Sequence, residues 1–177
     1  MIETERVRLR PWREADREAF TRLVTDSEVM ADQGGPMSVD ARNAKFDGYV
    51  EAWSKSGCCR MALETVEGEF LGYVGVMAIG PGHPLGAHHD IGWRLHRAAW
   101  GKGYATEASK AALADAFTRL NPSEILAYTE PTNTRSIAVM ERLNLRREPA
   151  RDFAADYEGV GRWQGMVWSA RRENALR

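Results

Sequence analysis

Two glycines one residue apart, Gly101 and Gly103, sit in the run Trp100-Gly101-Lys102-Gly103-Tyr104-Ala105, directly ahead of a helical pattern. Glycine lets the backbone turn tightly and approach a ligand, and a helix start leaves its first N–H groups unpaired. Such a turn holds an anion, most strongly a phosphate on which several donors converge. The same spacing also serves as a strand-to-helix turn with no ligand. A dinucleotide reading fits less well, because the third glycine of Gly-x-Gly-x-x-Gly is missing and position 106 is Thr. Further along, Asn133 in Pro131-Thr132-Asn133-Thr134-Arg135-Ser136 suits a helix cap. His83, His88, His89 and His96 show no zinc spacing with Cys58 and Cys59, so exposed loop histidines are expected and no metal.

These residues need elements to position them. Asp90 to Leu95 alternates as a strand, with Ile91, Trp93 and Leu95 on one side as core. From Ala105 onward Ala108, Ala112, Ala116 and Leu120 recur at helical spacing until Asn121-Pro122 stops the helix. Before this unit come a strand at Arg6 to Arg10, a helix over Glu14 to Thr25, a break at Gly34-Gly35-Pro36, and a helix from the Ser38 cap to Ser56-Gly57. Strands at Cys58 to Thr65 and Phe70 to Ile79 follow, then an irregular loop from Gly80 to His89. After it come a strand at Ile125 to Thr129, a helix from about Asn133 to Leu143, and strands near Leu145 to Glu148 and Trp163 to Ser169. Three consecutive strands must be largely antiparallel while the strand-helix-strand unit is parallel, which gives an α+β (mixed α/β) fold. Trp12, Trp53, Trp163 and Trp168 read as packing anchors.

The segment WGKGYATEA, with DIGWRLH before it and Asn133 to Ser136 and MERLNLRRE after it, resembles the GNAT acetyltransferase superfamily, nearest its RimJ/RimL-type N-acetyltransferase branch. The likeness runs over nearly the whole chain. It implies a central, mostly antiparallel sheet with two splayed strands and helices on both faces. It also implies acetyl-coenzyme A as co-substrate and transfer of its acetyl group to a primary amine, either a protein N-terminus or a small molecule. On this likeness the coenzyme diphosphate lies on the main chain from Trp100 through Gly101, Lys102, Gly103, Tyr104 and Ala105 to Thr106. Trp100 stands where the superfamily prefers Gln or Arg, and Lys102 could add a point charge. The pantetheine arm runs along the main chain of Trp93, Arg94 and Leu95 like an added strand. Asn133 contacts the arm, and Ser136 lies near its sulfur as proton donor to the departing thiolate. An alkyl amine is mostly protonated at neutral pH, so a base must take its proton. Asp90, where the branch often carries Glu, is the first choice and Glu130 the second, while an exposed carboxylate near a loop is the plain reading of either. Trp53 and Gly34-Gly35-Pro36-Met37 could border the amine pocket, and Tyr128 could face the acetyl group or the core.

A chain of 177 residues, 44% hydrophobic and 28% charged, is enough for one domain with a real core, taken as residues 1–177. Net charge is −1 with no long charge run, which argues against nucleic-acid or membrane partners. Adjacent Cys58 and Cys59 make a strained disulfide, so a reducing, cytoplasmic setting fits. The late strand at 163 to 169 could pair across a homodimer. The alternatives to a transferase are a catalytically silent coenzyme A-binding module and an interaction module on the same fold.

Overall fold

The computed structural model of the chain describes residues 1–157 and 160–172. Strands β1 (Ile2–Glu3) and β2 (Val7–Arg10) lead through a 3-10 turn at Glu14–Asp16 into helix α1 (Arg17–Thr25). Helix α2 (Val39–Ser56) starts on Ser38, whose Oγ accepts the Ala41 N–H at 3.3 Å, and ends on left-handed Gly57. Strands β3 (Met61–Thr65), β4 (Phe70–Ile79) and β5 (His88–Leu95) form an antiparallel meander. Helix α3 (Tyr104–Arg119), strand β6 (Glu124–Thr129) and helix α4 (Thr134–Arg142) follow. The chain then adds β7 (Arg146–Arg147), β8 (Phe153–Tyr157) and β9 (Gly161–Arg171). The sheet order is β1-β2-β3-β4-β5-β6-β9-β7, with β8 on β9.

This is the mixed, mostly antiparallel sheet expected, and its one parallel pair, β5 with β6, is the splayed one. They meet at a single register, Asp90 opposite Leu126. The sequence does not announce three features. The irregular loop ends two residues early because His88 and His89 pair with Ile79 and Ala78. The first helix opens with a 3-10 turn because the Asp16 carboxylate is drawn toward Arg10 and the Arg13 N–H. Strand β8 carries two successive alanines that blur its alternation in sequence, yet it pairs with β9 from Phe153–Gly165 to Tyr157–Gly161. The late strand offered for dimer pairing is itself paired along its length, with β8 over Gly161 to Gly165 and with β6 over Met166 to Arg171.

Helices lie on both faces. Ala108, Ala112 and Ala116 of α3 let that helix come close to β4 and β5, where Val74, Val76, Ile91 and Leu95 join Leu113 and Phe117. On the other face Phe20, Leu23, Val24, Phe46 and Tyr49 from α1 and α2 close around Trp12. The Trp12 indole donates to the Arg60 carbonyl at 2.7 Å. Trp163 and Trp168 are buried as anticipated, whereas Trp53 is only half-buried against the α3 side of the core. Among the described residues no helix is long and apolar enough to cross a membrane.

Candidate active site

Below Asp90 the strands β5 and β6 diverge, and a groove of about 710 Å³ opens along the freed edge of β5. His96 N–H donates to Leu71 O, and antiparallel pairs alternate, so Arg94 turns its main-chain groups toward β4 while Trp93 and Leu95 turn theirs toward the groove. The expectation of main-chain contacts is thus corrected at Arg94, which enters the site through its side chain. Leu95 offers only its N–H, because its carbonyl already accepts the Trp100 indole at 2.8 Å. Trp93 is half-buried, packing against the core on one side and lining the groove on the other.

At the foot of the groove the turn before α3 has Gly101 at φ 74° and Gly103 at φ 82°, both left-handed. Gly103 is the N-cap and has no side chain to satisfy the first turn, and the first intrahelical bond is Glu107 N–H to Gly103 O at 3.0 Å. The N–H groups of Tyr104, Ala105 and Thr106 are therefore left without an intrahelical acceptor. The turn is held from behind. Glu107 accepts from the Thr4 hydroxyl at 2.6 Å and from Arg6 Nε at 2.7 Å, and Arg6 Nη1 donates to the Lys102 carbonyl at 3.0 Å. The Lys102 side chain is exposed and lies outside the groove lining.

Helix α4 supplies the opposite wall. The Asn133 side chain caps it, accepting the Ser136 N–H at 3.1 Å, and its Nδ2 donates to Asp32 Oδ2 at 3.2 Å. Arg135 lies over the Trp100 ring, 3.8 Å from its centroid, which places a cation beside the turn. Arg142 lines the same groove. Glu130 lines it too, and burial together with the nearby Asp32 charge raises its carboxyl above the usual range.

A second cavity of about 360 Å³ meets the groove at Asp32, Trp93, Arg94 and Ser136, which line both. Its floor is an ion pair. Arg60 Nη2 bonds Asp90 Oδ2 at 2.6 Å, while Arg60 Nη1 bonds the carbonyls of Gly75 at 2.6 Å and Asp90 at 2.9 Å. A Cβ at position 92 would stand 2.8 Å from Arg60 Nη2, so glycine there lets the guanidinium cross β5. Asp90 is 5% exposed, so the residue expected as first-choice base is instead a buried partner of Arg60. Above it Asp32 binds Arg94 at 2.8 and 3.2 Å, and the Asp32 carbonyl accepts the Trp163 indole at 3.3 Å. Burial alone would raise the Tyr73 phenol, but the Lys45 and Arg94 charges and bonds from Arg94 and Tyr49 bring it down to about 8. Tyr128 faces this cavity, and its ring stacks on His83 with centroids 5.1 Å apart.

The structure thus gathers Trp93, Leu95, Trp100, Gly101, Gly103, Tyr104, Ala105, Thr106, Glu130, Asn133 and Ser136 around one groove. The wall expected from Gly34 to Met37 and Trp53 comes instead from Asp32 and Gln33, one turn earlier, while Met37 packs into the aromatic core. Asp32, Lys45, Arg60, Tyr73 and Arg135 join the site without a motif to mark them. Only the glycine at 92, in an otherwise regular strand, hints that a large group crosses there. Among the described residues no three His, Cys, Asp or Glu side chains converge as a metal would require.

Residues 6–146 match the family model described as an acetyltransferase (GNAT) domain. The uncharacterized N-acetyltransferase p20 of Bacillus licheniformis is 41% identical over 69 residues, 39% of this chain and 37% of p20, so the match spans well under half of that relative. YkkB of Bacillus subtilis is 30% identical over 156 residues, 80% of this chain and 83% of its own. An acetyltransferase structure from Agrobacterium tumefaciens superposes with TM-score 0.80 at 28% identity, covering 97% of this chain and 94% of that one. Spermidine N-acetyltransferase from Vibrio cholerae, in complex with CoA and spermine, gives 0.77 at 18% over 98% of this chain and 100% of its own. Mycobacterium smegmatis RimJ, in complex with CoA-disulfide, gives 0.69 at 23% over 96% and 86%. At such identities these last two share the fold.

Proposed function

This chain belongs to the GNAT acetyltransferase domain family, and from that premise we propose that it moves the acetyl group of acetyl-coenzyme A directly onto a primary amine, both substrates being held at once. The observation that carries this reading is the continuity of three features. Unpaired first-turn N–H groups just after two left-handed glycines lead to a groove, the groove runs along an unpaired strand edge, and the edge opens into a second cavity.

The residues fit the coenzyme. The orphan N–H groups from Tyr104 to Thr106 suit a diphosphate, and Arg135 adds a cation beside them. The outward groups of Trp93 suit an amide-bearing arm. Coenzyme-bound relatives of this fold support the assignment. Bound acetyl-coenzyme A supplies the acetyl group as a thioester. The outward Trp93 N–H polarises the carbonyl oxygen. Glu130, directly or through a bridging water, takes the proton that the amine nitrogen sheds as it bonds to the acetyl carbon. Its raised carboxyl favours that role, and the Arg60 pairing disfavours Asp90 for it. Ser136, at the junction of the two cavities, gives the sulfur a proton as the C–S bond breaks, and regains one from solvent. Orientation alone can contribute about 7–11 kcal/mol. A RimJ/RimL-like branch is supported by WGKGYATEA and by the fold shared with RimJ, and the two free buried cysteines support a reducing, cytoplasmic setting.

The test is incubation with acetyl-coenzyme A and a panel of amines and peptides, following free thiol. Thiol release above hydrolysis, with a matching acetylated amine by mass spectrometry, is expected; its absence with every acceptor sinks transfer. The commitment of Asp90 to Arg60 favours a second reading, a silent coenzyme A-binding module, which predicts a melting shift with coenzyme A and no turnover.

A further inference from the structure

The second cavity has an uneven charge inventory. The acids and bases other than tyrosine that line it are Asp32, Lys45, Arg60, His83, Asp90 and Arg94. Asp90 is bound to Arg60 at 2.6 Å and Asp32 to Arg94 at 2.8 Å, so these four cancel in pairs. Burial and the neighbouring His88 hold the His83 ring below its ordinary pKa, which keeps it neutral. Lys45 remains. It makes no ion pair among the described residues, and its charge is felt at Tyr73, whose phenol it helps to bring down. Much of the remaining wall is apolar, with the rings of Trp93, Trp163, Tyr128 and Tyr157 beside Ile91, Met140 and Val160. With about 360 Å³, the cavity has room for one side chain's worth of apolar body beside the amine.

Resting on the transferase reading above, we propose that the acceptor carries a carboxylate as well as the reacting amine: a small amino acid with an apolar or aromatic side chain. Lys45 takes the carboxylate, with the Tyr73 hydroxyl as a second donor, and the rings of Trp93 and Trp163 take the side chain. A polycationic acceptor meets the wrong field. Its distal ammonium groups face Lys45, and both carboxylates of the cavity are already spent on guanidinium groups. The one unpartnered carboxylate oxygen, Asp90 Oδ1, is shut away from solvent.

The experiment compares L-phenylalanine, L-phenylalaninamide, phenethylamine and spermidine as acceptors, with kcat/KM expressed per unprotonated amine. Phenylalanine is expected to exceed the other three by about tenfold or more, the value of one charged hydrogen bond. Lys45→Gln should reduce the ratio of phenylalanine to phenylalaninamide to below about threefold through KM, and Lys45→Arg should restore it. Calorimetric titration of the protein with phenylalanine, without coenzyme, should show binding that weakens by a similar factor in Lys45→Gln. Preference for spermidine or the amide, or an unchanged ratio in Lys45→Gln, overturns the inference while thiol release leaves the transferase reading standing. Failure of every acceptor together with no melting shift on adding coenzyme A overturns both.

Discussion

The groove and the cavity that meet at Ser136 are built from different material. The end of the groove at the α3 turn is main chain: left-handed Gly101 and Gly103, the bare N-cap, and the N–H groups of one helical turn, all within six consecutive residues. The cavity is side chain. Asp32 arrives from a 3-10 turn, Lys45 from α2, Arg60 from the approach to β3, Asp90 and Arg94 from β5 and Trp163 from β9. A backbone site depends on local conformation and tolerates varied side chains, as Trp100 in place of Gln or Arg illustrates. A side-chain site depends on ion pairs over long sequence separations, and one lost partner leaves a buried charge. In the proposed transfer, the first end takes what the acetyl donor presents and the second selects the acceptor.

The largest expected effect breaks the cavity side. Arg60→Met strands the Asp90 charge beneath the aromatic wall and should cost about 3–5 kcal/mol in urea unfolding, whereas Arg60→Met with Asp90→Leu should cost distinctly less. Equal losses in the two variants would mean that the pair is not what the cavity rests on. Next comes the base. Glu130→Gln should lower kcat/KM by about 100-fold while sparing coenzyme affinity. Because the Glu130 carboxyl is raised, its base form is lost as pH falls through a value above the ordinary glutamate range, and the acid limb of the rate profile should vanish in the variant. An acid limb that survives unchanged would return the proton to Asp90 or to solvent.

A smaller effect sharpens the groove side. A Cβ on Gly103 meets only Arg6, at 3.4 Å, so Gly103→Val acts through its φ of 82° rather than by crowding. That conformation costs about 1–2 kcal/mol, which should weaken coenzyme A binding by about tenfold in calorimetry, with Gly103→Asn milder. The smallest effect is at the latch behind the turn. Burial pushes the Glu107 carboxyl up, but bonds from Thr4 and Arg6 bring it below its ordinary value. A carboxyl lowered on folding stabilises above its unfolded pKa and loses that contribution as pH falls through the folded one. Glu107→Gln should therefore lower the melting temperature slightly near neutral pH, reflecting less than about 1 kcal/mol of stability, and converge with the parent in acid. A difference that persists in acid would place the latch elsewhere.

The two regions also differ in how far their sequence discloses them. Residues 90 to 120 announce strand, turn and helix through alternation, paired glycines and an alanine stripe, and each feature acts within a few residues. Strand β8 escapes such a reading because Ala154 and Ala155 give its two faces little contrast in sequence, and pairing with β9 makes it a strand. Asp90 looks like a base from its place at the head of a strand. Gly92 marks that something crosses the strand, but nothing in the sequence says that it is Arg60, thirty residues earlier, that meets Asp90 there. Glu130 and Ser136 are legible as groove residues because they follow the strand end and the helix cap, which local patterns locate.

What the chain's sequence determined alone is the glycine turn ahead of α3 and the order of its elements, because both depend on backbone preferences and short-range periodicity. The tertiary structure decided which carboxylates remain free. Charges separated by tens of residues cancel only when the sheet and the Asp32 turn bring them within hydrogen-bond reach, and that cancellation leaves Lys45 lining the second cavity without an ion-pair partner among the described residues.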